Sequence, residues 1–161
     1  MKDRIKRLWA PWRITYILTP KLKKCLFCTV AKQKNDRENL ILERRKNCFV
    51  ILNKYPYNNG HIMIVPYKHT SSLEELDNKT LLEMMKIAQK YLIKMKKIMK
   101  AEGFNIGINI GKIAGAGIKE HIHLHIVPRW NGDNNFMPVL ANHRIISESL
   151  ESVYKKLKNK S

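Results

Sequence analysis

Three cysteines among 161 residues are too few for a disulfide framework in a chain of this size. Acidic side chains are scarce too: 13 Asp+Glu stand against 31 Lys+Arg, a formal net charge of +18. No apolar run approaches the ~18 residues of a membrane span, and no internal repeat is visible. The N-terminus is basic, but Pro11 and Pro20 interrupt the segment after it and no small-residue cleavage site appears. No signal peptide is therefore expected, and the chain reads as cytoplasmic. These absences argue against a disulfide-stapled secreted domain and a helical membrane protein.

What remains is globular in composition, 44% hydrophobic and 27% charged, and long enough for one domain with a real core. The positive excess favours anionic partners such as nucleotides, polyphosphates or nucleic acid. Against that, the excess is mainly lysine, spread along the chain among many Ile and Asn, as an AT-rich coding bias would produce. Basicity alone selects no partner.

The pattern of apolar residues predicts strands at Leu40–Leu42, Cys48–Asn53, His61–Pro66 and Phe104–Ile110, and a short helix from Ser71 to Leu76. A polar stretch from Lys32 to Asn39 reads as a turn or loop. One long helix is expected from about Lys79 to Glu102, capped by Asp77 or Asn78 and ended by Gly103. Along it Leu81, Leu82, Met85, Ala88, Leu92, Met95 and Met99 recur at helical spacing as a core stripe, with lysines opposite. A final helix spans Ser147 to Lys158 with Ser147 as cap. The order predicts an α+β fold with an antiparallel sheet.

The most informative stretch is Glu120-His121-Ile122-His123-Leu124-His125-Ile126-Val127-Pro128-Arg129-Trp130. It alternates with period two, as a strand buried on one face does. Ile122, Leu124 and Ile126 point into a core, and His121, His123 and His125 form a row on the other face. At ~3.3 Å rise per residue the outer two lie ~13 Å apart, so the three cannot share one metal ion. The spacing suits a divided site, one imidazole for chemistry and its neighbours for binding. Upstream, Gly111 to Gly117 lacks blocking side chains, so its backbone N–H groups suit an anion pocket, with Lys112 within reach of distal phosphates. Cys25 and Cys28 form a C-x-x-C that suits a redox pair, half of a metal site or two buried thiols.

His121-Ile122-His123-Leu124-His125-Ile126-Val127 matches the pattern His-φ-His-φ-His-φ-φ, φ being apolar, and the chain resembles the histidine-triad (HIT) family. Its members bind nucleotides and cleave or transfer at the α-phosphate. The arm around Trp9 and Trp12, the run Tyr55 to His61 and the run Pro128 to Phe136 resemble one branch, the diadenosine tetraphosphate phosphorylases. The resemblance implies a single HIT domain over 1–161: an arm at 1–24, a core at 25–140 and a helical tail at 141–161.

It also implies roles. His123 becomes the nucleophile, and His125 contacts the phosphate and helps protonate the leaving group. Asn53 binds ribose hydroxyls, while Asn109 and the loop Gly115-Ala116-Gly117 lie near the α-phosphate. That loop departs from the common Ala/Gly-Gly-Gln-Ser/Thr and lacks its side-chain donors, which fits the phosphorylase branch better than the phosphoramidases. Cys25, Cys28, His69 and His121 map to a structural zinc site, and a homodimer is implied. His61 is open between orienting the triad and a structural hydrogen bond, and His143 reads as a surface residue. The expected partners are a dinucleoside polyphosphate and inorganic phosphate, with a nucleoside phosphoramidase or general nucleotide hydrolase as the alternative activity. A non-catalytic nucleotide- or RNA-binding module has the charge and the Trp9/Trp12 arm in its favour. No RNA-recognition or helix-turn-helix pattern accompanies them, so neither nucleic acid nor a membrane is the expected partner.

Overall fold

The computed structural model describes residues 24–133 and 146–159. The Trp9/Trp12 arm, Asn134-Asn135-Phe136 and His143 lie outside the described residues. Five strands, β1 (Ile41–Arg44), β2 (Cys48–Leu52), β3 (Ile62–Pro66), β4 (Gly103–Ile108) and β5 (Leu124–Arg129), form one sheet in the order β1-β2-β3-β5-β4. Every neighbouring pair is antiparallel. Among the described residues three α-helices accompany it: α1 (Leu26–Lys32), α2 (Asn78–Met99) and α3 (Leu150–Lys158). This is the expected α+β arrangement, an antiparallel sheet with one long helix and a C-terminal helix.

Alternation along the central strands sends side chains to two separate cores. Cys48, Val50, Leu52, Ile62, Ile64, Leu124 and Ile126 meet Met84, Ile87, Ala88, Tyr91 and Met95 of α2 and Val153, Tyr154 and Leu157 of α3. Phe49, Ile51, Met63 and Val65 point the other way and meet Phe27 and Val30 of α1. Both faces are covered, which corrects the expectation of a histidine strand buried on one face. His121, His123 and His125 are as buried as the aliphatic residues between them. The ladder also starts only at Leu124, because β3 pairs from Ile64↔Leu124 onward; His121 to His123 precede it as irregular backbone.

Several boundaries move for local reasons. α2 is capped by Asp77, whose carboxylate accepts from the Thr80 N–H at 2.7 Å. It ends at Met99, not Glu102, because Lys100 takes the left-handed conformation (φ 53°) that Gly103 was expected to supply. Its buried face is rotated from the expected stripe: Leu82 and Met85 are 56% and 52% exposed, while Ile87 and Tyr91 are buried. Apolar residues lie nearly all round α2, so spacing alone did not fix the phase. α3 begins at Leu150 with Ser149 as cap, since the Ser149 hydroxyl, not that of Ser147, accepts from the Ser152 N–H. The segment 71–76 holds one 3₁₀ turn, Leu73–Glu75, and β4 stops two residues early at Ile108.

The seven-residue α1 has no side-chain N-cap and cannot stand alone. Its C-terminus is held by Arg44 of β1, whose guanidinium donates to the carbonyls of Ala31 (2.6 Å), Gln33 (2.7 Å) and Val30 (3.3 Å) and to Asp36 (2.8 Å). A fixed cation at the carbonyl end suits the helix dipole. α1 is thereby seated over the histidines.

Candidate active site and metal cluster

Two sites meet along the run 121–125. At its start, the Nδ1 atom of His121 lies 3.3 Å from Cys25 Sγ, 3.6 Å from Cys28 Sγ and 3.3 Å from His69 Nδ1. Cys28 Sγ is 3.4 Å from His69 Nδ1, and all four donor atoms fall within 4.8 Å of one another. With Zn–N near ~2.05 Å and Zn–S near ~2.3 Å, a tetrahedral ion needs N–N edges of ~3.3 Å and N–S edges of ~3.6 Å. The four spacings of 3.3–3.6 Å lie within ~0.3 Å of those edges. His121 Nε2 lies 2.8 Å from the Pro66 carbonyl, an acceptor only, so Nε2 carries the hydrogen and Nδ1 presents its lone pair to the cluster. A Cys₂His₂ set closed on itself has the donor chemistry of a metal centre with no open position.

At the other end the hydrogen bonds assign opposite tautomers to two rings. The Tyr57 backbone N–H donates to His61 Nδ1 at 3.1 Å, and the Asn53 amide nitrogen is 3.2 Å from the same atom. His61 Nδ1 is therefore an acceptor and Nε2 holds the hydrogen. That Nε2 donates to His125 Nδ1 at 2.9 Å, which places the His125 hydrogen on Nε2. Among the described residues His125 Nε2 is a buried polar side-chain atom without a partner. His123 is set the other way: Nδ1 donates to the His121 carbonyl at 2.8 Å, leaving a lone pair on Nε2. The two rings are 4.6 Å apart between centroids. One offers a nucleophilic nitrogen and the next offers an N–H.

Burial disfavours the charged form of all these rings. It is the leading cause that pushes His125 down to about 4 and His61 to about 3; the neighbouring imidazoles add to it. It also lowers His121 and His123. At neutral pH the His61 and His125 rings are uncharged, as the hydrogen-bond directions require.

Of the remaining expected residues, Asn53 reaches this pair through His61. Asn53 follows the last residue of β2, and its side-chain carbonyl oxygen accepts from the Tyr55 N–H at 2.9 Å. Gly107 pairs with His125 across β4–β5, and a Cβ built there would meet nothing within 4 Å, so the space beside His125 is open. Asn109 lies one residue past the last pair, Ile108↔Leu124. Gly115 and Ala116 donate their N–H groups to the carbonyls of Lys112 (3.1 Å) and Gly111 (3.2 Å), closing the exposed loop as a turn of its own, with Gly115 at φ +86°. Gly117 comes next, in open space. A recess of about 480 Å³ between Met99, Trp130 and Glu148 has none of the histidines in its wall.

Sequence reading left His61 open and passed over Tyr57, whose contribution is a backbone N–H. It also missed Phe27, because a seven-residue helix leaves little periodicity. Gly60 sets up the His61 turn: it sits at φ +73°, and a Cβ there would come 2.7 Å from Met99 Cε.

Residues 33–132 match the family model described as HIT domain. The chain is 37% identical over 157 residues to the AP-4-A phosphorylase of Mycobacterium tuberculosis, covering 92% of this chain and 80% of that protein. It is 30% identical to the adenosine 5'-monophosphoramidase HNT1 of Saccharomyces cerevisiae, over 65% of this chain and 62% of that protein. Among solved structures it is similar to a Zn-bound histidine triad family protein from Mycobacterium smegmatis. There the TM-score is 0.68 at 29% identity, covering 84% of this chain and 91% of that one.

Proposed function

The chain belongs to the HIT family, and on that premise we propose that it cleaves dinucleoside polyphosphates of the diadenosine tetraphosphate type at the α-phosphate, passing the nucleotidyl group through His123 to inorganic phosphate. The observation that carries this reading is the opposed pair of tautomers at His123 and His125. The similarity to an AP-4-A phosphorylase supports the substrate class.

His123 Nε2 attacks the α-phosphorus; the P–N bond forms as the P–O bond to the rest of the polyphosphate breaks. His125 Nε2–H donates a hydrogen bond to the departing oxygen as charge builds on it. A phosphate oxygen then displaces Nε2, giving a nucleoside diphosphate and freeing the ring; water in its place gives the monophosphate. Asn53 binds the ribose hydroxyls, and Asn109 with Gly115, Ala116 and Gly117 lines the phosphate side. Cys25, Cys28, His69 and His121 hold a structural zinc that ties α1 to the sheet; the donor spacings and the Zn-bound relative support that assignment. The ion supplies no step of the chemistry.

A homodimer through β4 belongs to the same reading. β4 ends the sheet, and its Phe104, Ile106 and Ile108 share a face, with Ile106 43% exposed. A second copy pairing edge to edge would cover it. The protein is read as cytoplasmic; no helix among the described residues is long and apolar enough to cross a membrane.

The deciding experiment is product analysis of diadenosine tetraphosphate with and without inorganic phosphate. ADP plus ATP, formed only with phosphate, is the expected result. AMP plus ATP without phosphate would make the protein a hydrolase. No turnover, with release of AMP from an adenosine phosphoramidate instead, would overturn the substrate assignment in favour of the activity of the yeast relative.

A further inference from the structure

Between Cys25, which precedes α1, and Cys28 stands Phe27, fully buried. Its ring centroid lies 5.0 Å from that of His123 at an interplanar angle of 60°, and 5.4 Å from that of His121 at 79°. Both are edge-to-face arrangements, the directional form of aromatic contact. The His123 imidazole makes one hydrogen bond among the described residues, Nδ1 to the His121 carbonyl, so the orientation of its ring also depends on what packs against it, Phe27 on one side and His125 on another. Phe27 is packed against that ring on a helix fixed at both ends: Cys25 and Cys28 join the metal cluster, and Arg44 grips the C-terminal carbonyls.

We propose that Phe27 is a positioning residue, whose ring holds the His123 imidazole in the orientation that presents Nε2 to the phosphorus and thereby ties the thiol-bearing helix to the reacting group. Phe27 need not touch substrate; it acts through His123. The proposal rests on the reading of His123 as the nucleotidyl acceptor, and its test separates the two.

The variants are Phe27→Leu, which keeps an apolar side chain but removes the ring, and Phe49→Leu as a control. Phe49 belongs to the same buried cluster, but its ring meets Phe27 and Tyr67. Three quantities are read on full-length protein: metal per chain, kcat and KM for diadenosine tetraphosphate with phosphate, and histidine ¹⁵N–¹H correlations reporting the ring tautomers at fixed pH. Phe27→Leu should keep its metal and lose about 10- to 100-fold in kcat with KM within about twofold, the pattern of a misaimed nucleophile. Its His123 signal should shift from a pure Nδ1–H tautomer to an average. Phe49→Leu should be less stable yet keep kcat and the tautomer.

Equal losses in both variants, or an unchanged His123 signal in Phe27→Leu, would overturn the proposal. So would loss of metal confined to Phe27→Leu, which would make the residue a wall of the metal cluster instead. Failure of the wild type to form an acid-quenched nucleotidyl adduct on His123 would sink the mechanism above, while the tautomer comparison would still decide whether Phe27 orients the ring.

Discussion

His121 and His125 lie four residues apart on one run, both buried and both depressed in basicity by that burial, yet they serve opposite ends. Around His121 every donor faces another donor: two thiols and two imidazole nitrogens converge, and the remaining ring nitrogen is spent on the Pro66 carbonyl. Around His125 the chain of hydrogen bonds runs outward, from Tyr57 through His61, and stops at an Nε2 with no partner among the described residues. Residue type does not distinguish the two environments. What differs is whether the surroundings close on the imidazole or leave one of its nitrogens unused, so the first environment suits an ion and the second suits a substrate.

The largest break in this contrast comes at His123. His123→Ala should lower turnover by about 10⁴-fold or more while leaving metal content and the circular dichroism spectrum unchanged; retained turnover would remove the nucleophile from that position. Next is the relay. His61→Ala deletes the N–H that sets the His125 tautomer, and kcat should fall about 10- to 100-fold without loss of metal, measured by steady-state kinetics beside metal analysis. A third variant strikes the closed end. Cys25→Ser should bring the metal content down from about one per chain and lower Tm, with a smaller effect on turnover per folded molecule than at His61.

The mildest lever is pH. His61 and His125 titrate near 3 and 4 when folded, against the ordinary 6.5. Above pH 6.5 neither state is protonated and these rings are neutral to stability. As pH falls below 6.5 the unfolded chain takes up protons first, so stability declines, by up to about 1.4 kcal/mol per group per pH unit, until the folded values near 3 to 4 are passed. Urea titrations between pH 7 and 4 should show this loss, reduced in His61→Ala by the share of one ring.

β2 and β3 were legible because each is a continuous apolar run of strand length, buried on both faces, whereas only the part of the histidine run from Leu124 onward is strand. The metal cluster was legible by resemblance, although its members come from positions 25, 28, 69 and 121, and the fold brings them together. The phase of α2 was not legible, because Leu81, Leu82, Met84 and Met85 are all apolar and only contact with the sheet picks Met84. Nor was the relay, since its first donor is a main-chain N–H at Tyr57 that no side-chain pattern encodes. The one-faced strand was misjudged because α1, seven residues without a cap, supplies the covering that the histidines' own polarity argued against.

The bond from His123 to residue 121 runs to a main-chain carbonyl, not to a side chain. Substitution at position 121 would take one donor from the candidate metal cluster without removing that acceptor. The two neighbouring sites are thus separable in descent: a lineage shedding its cysteines and His69 would keep the anchor of its reactive ring, and selection can act on metal dependence and on catalysis one at a time.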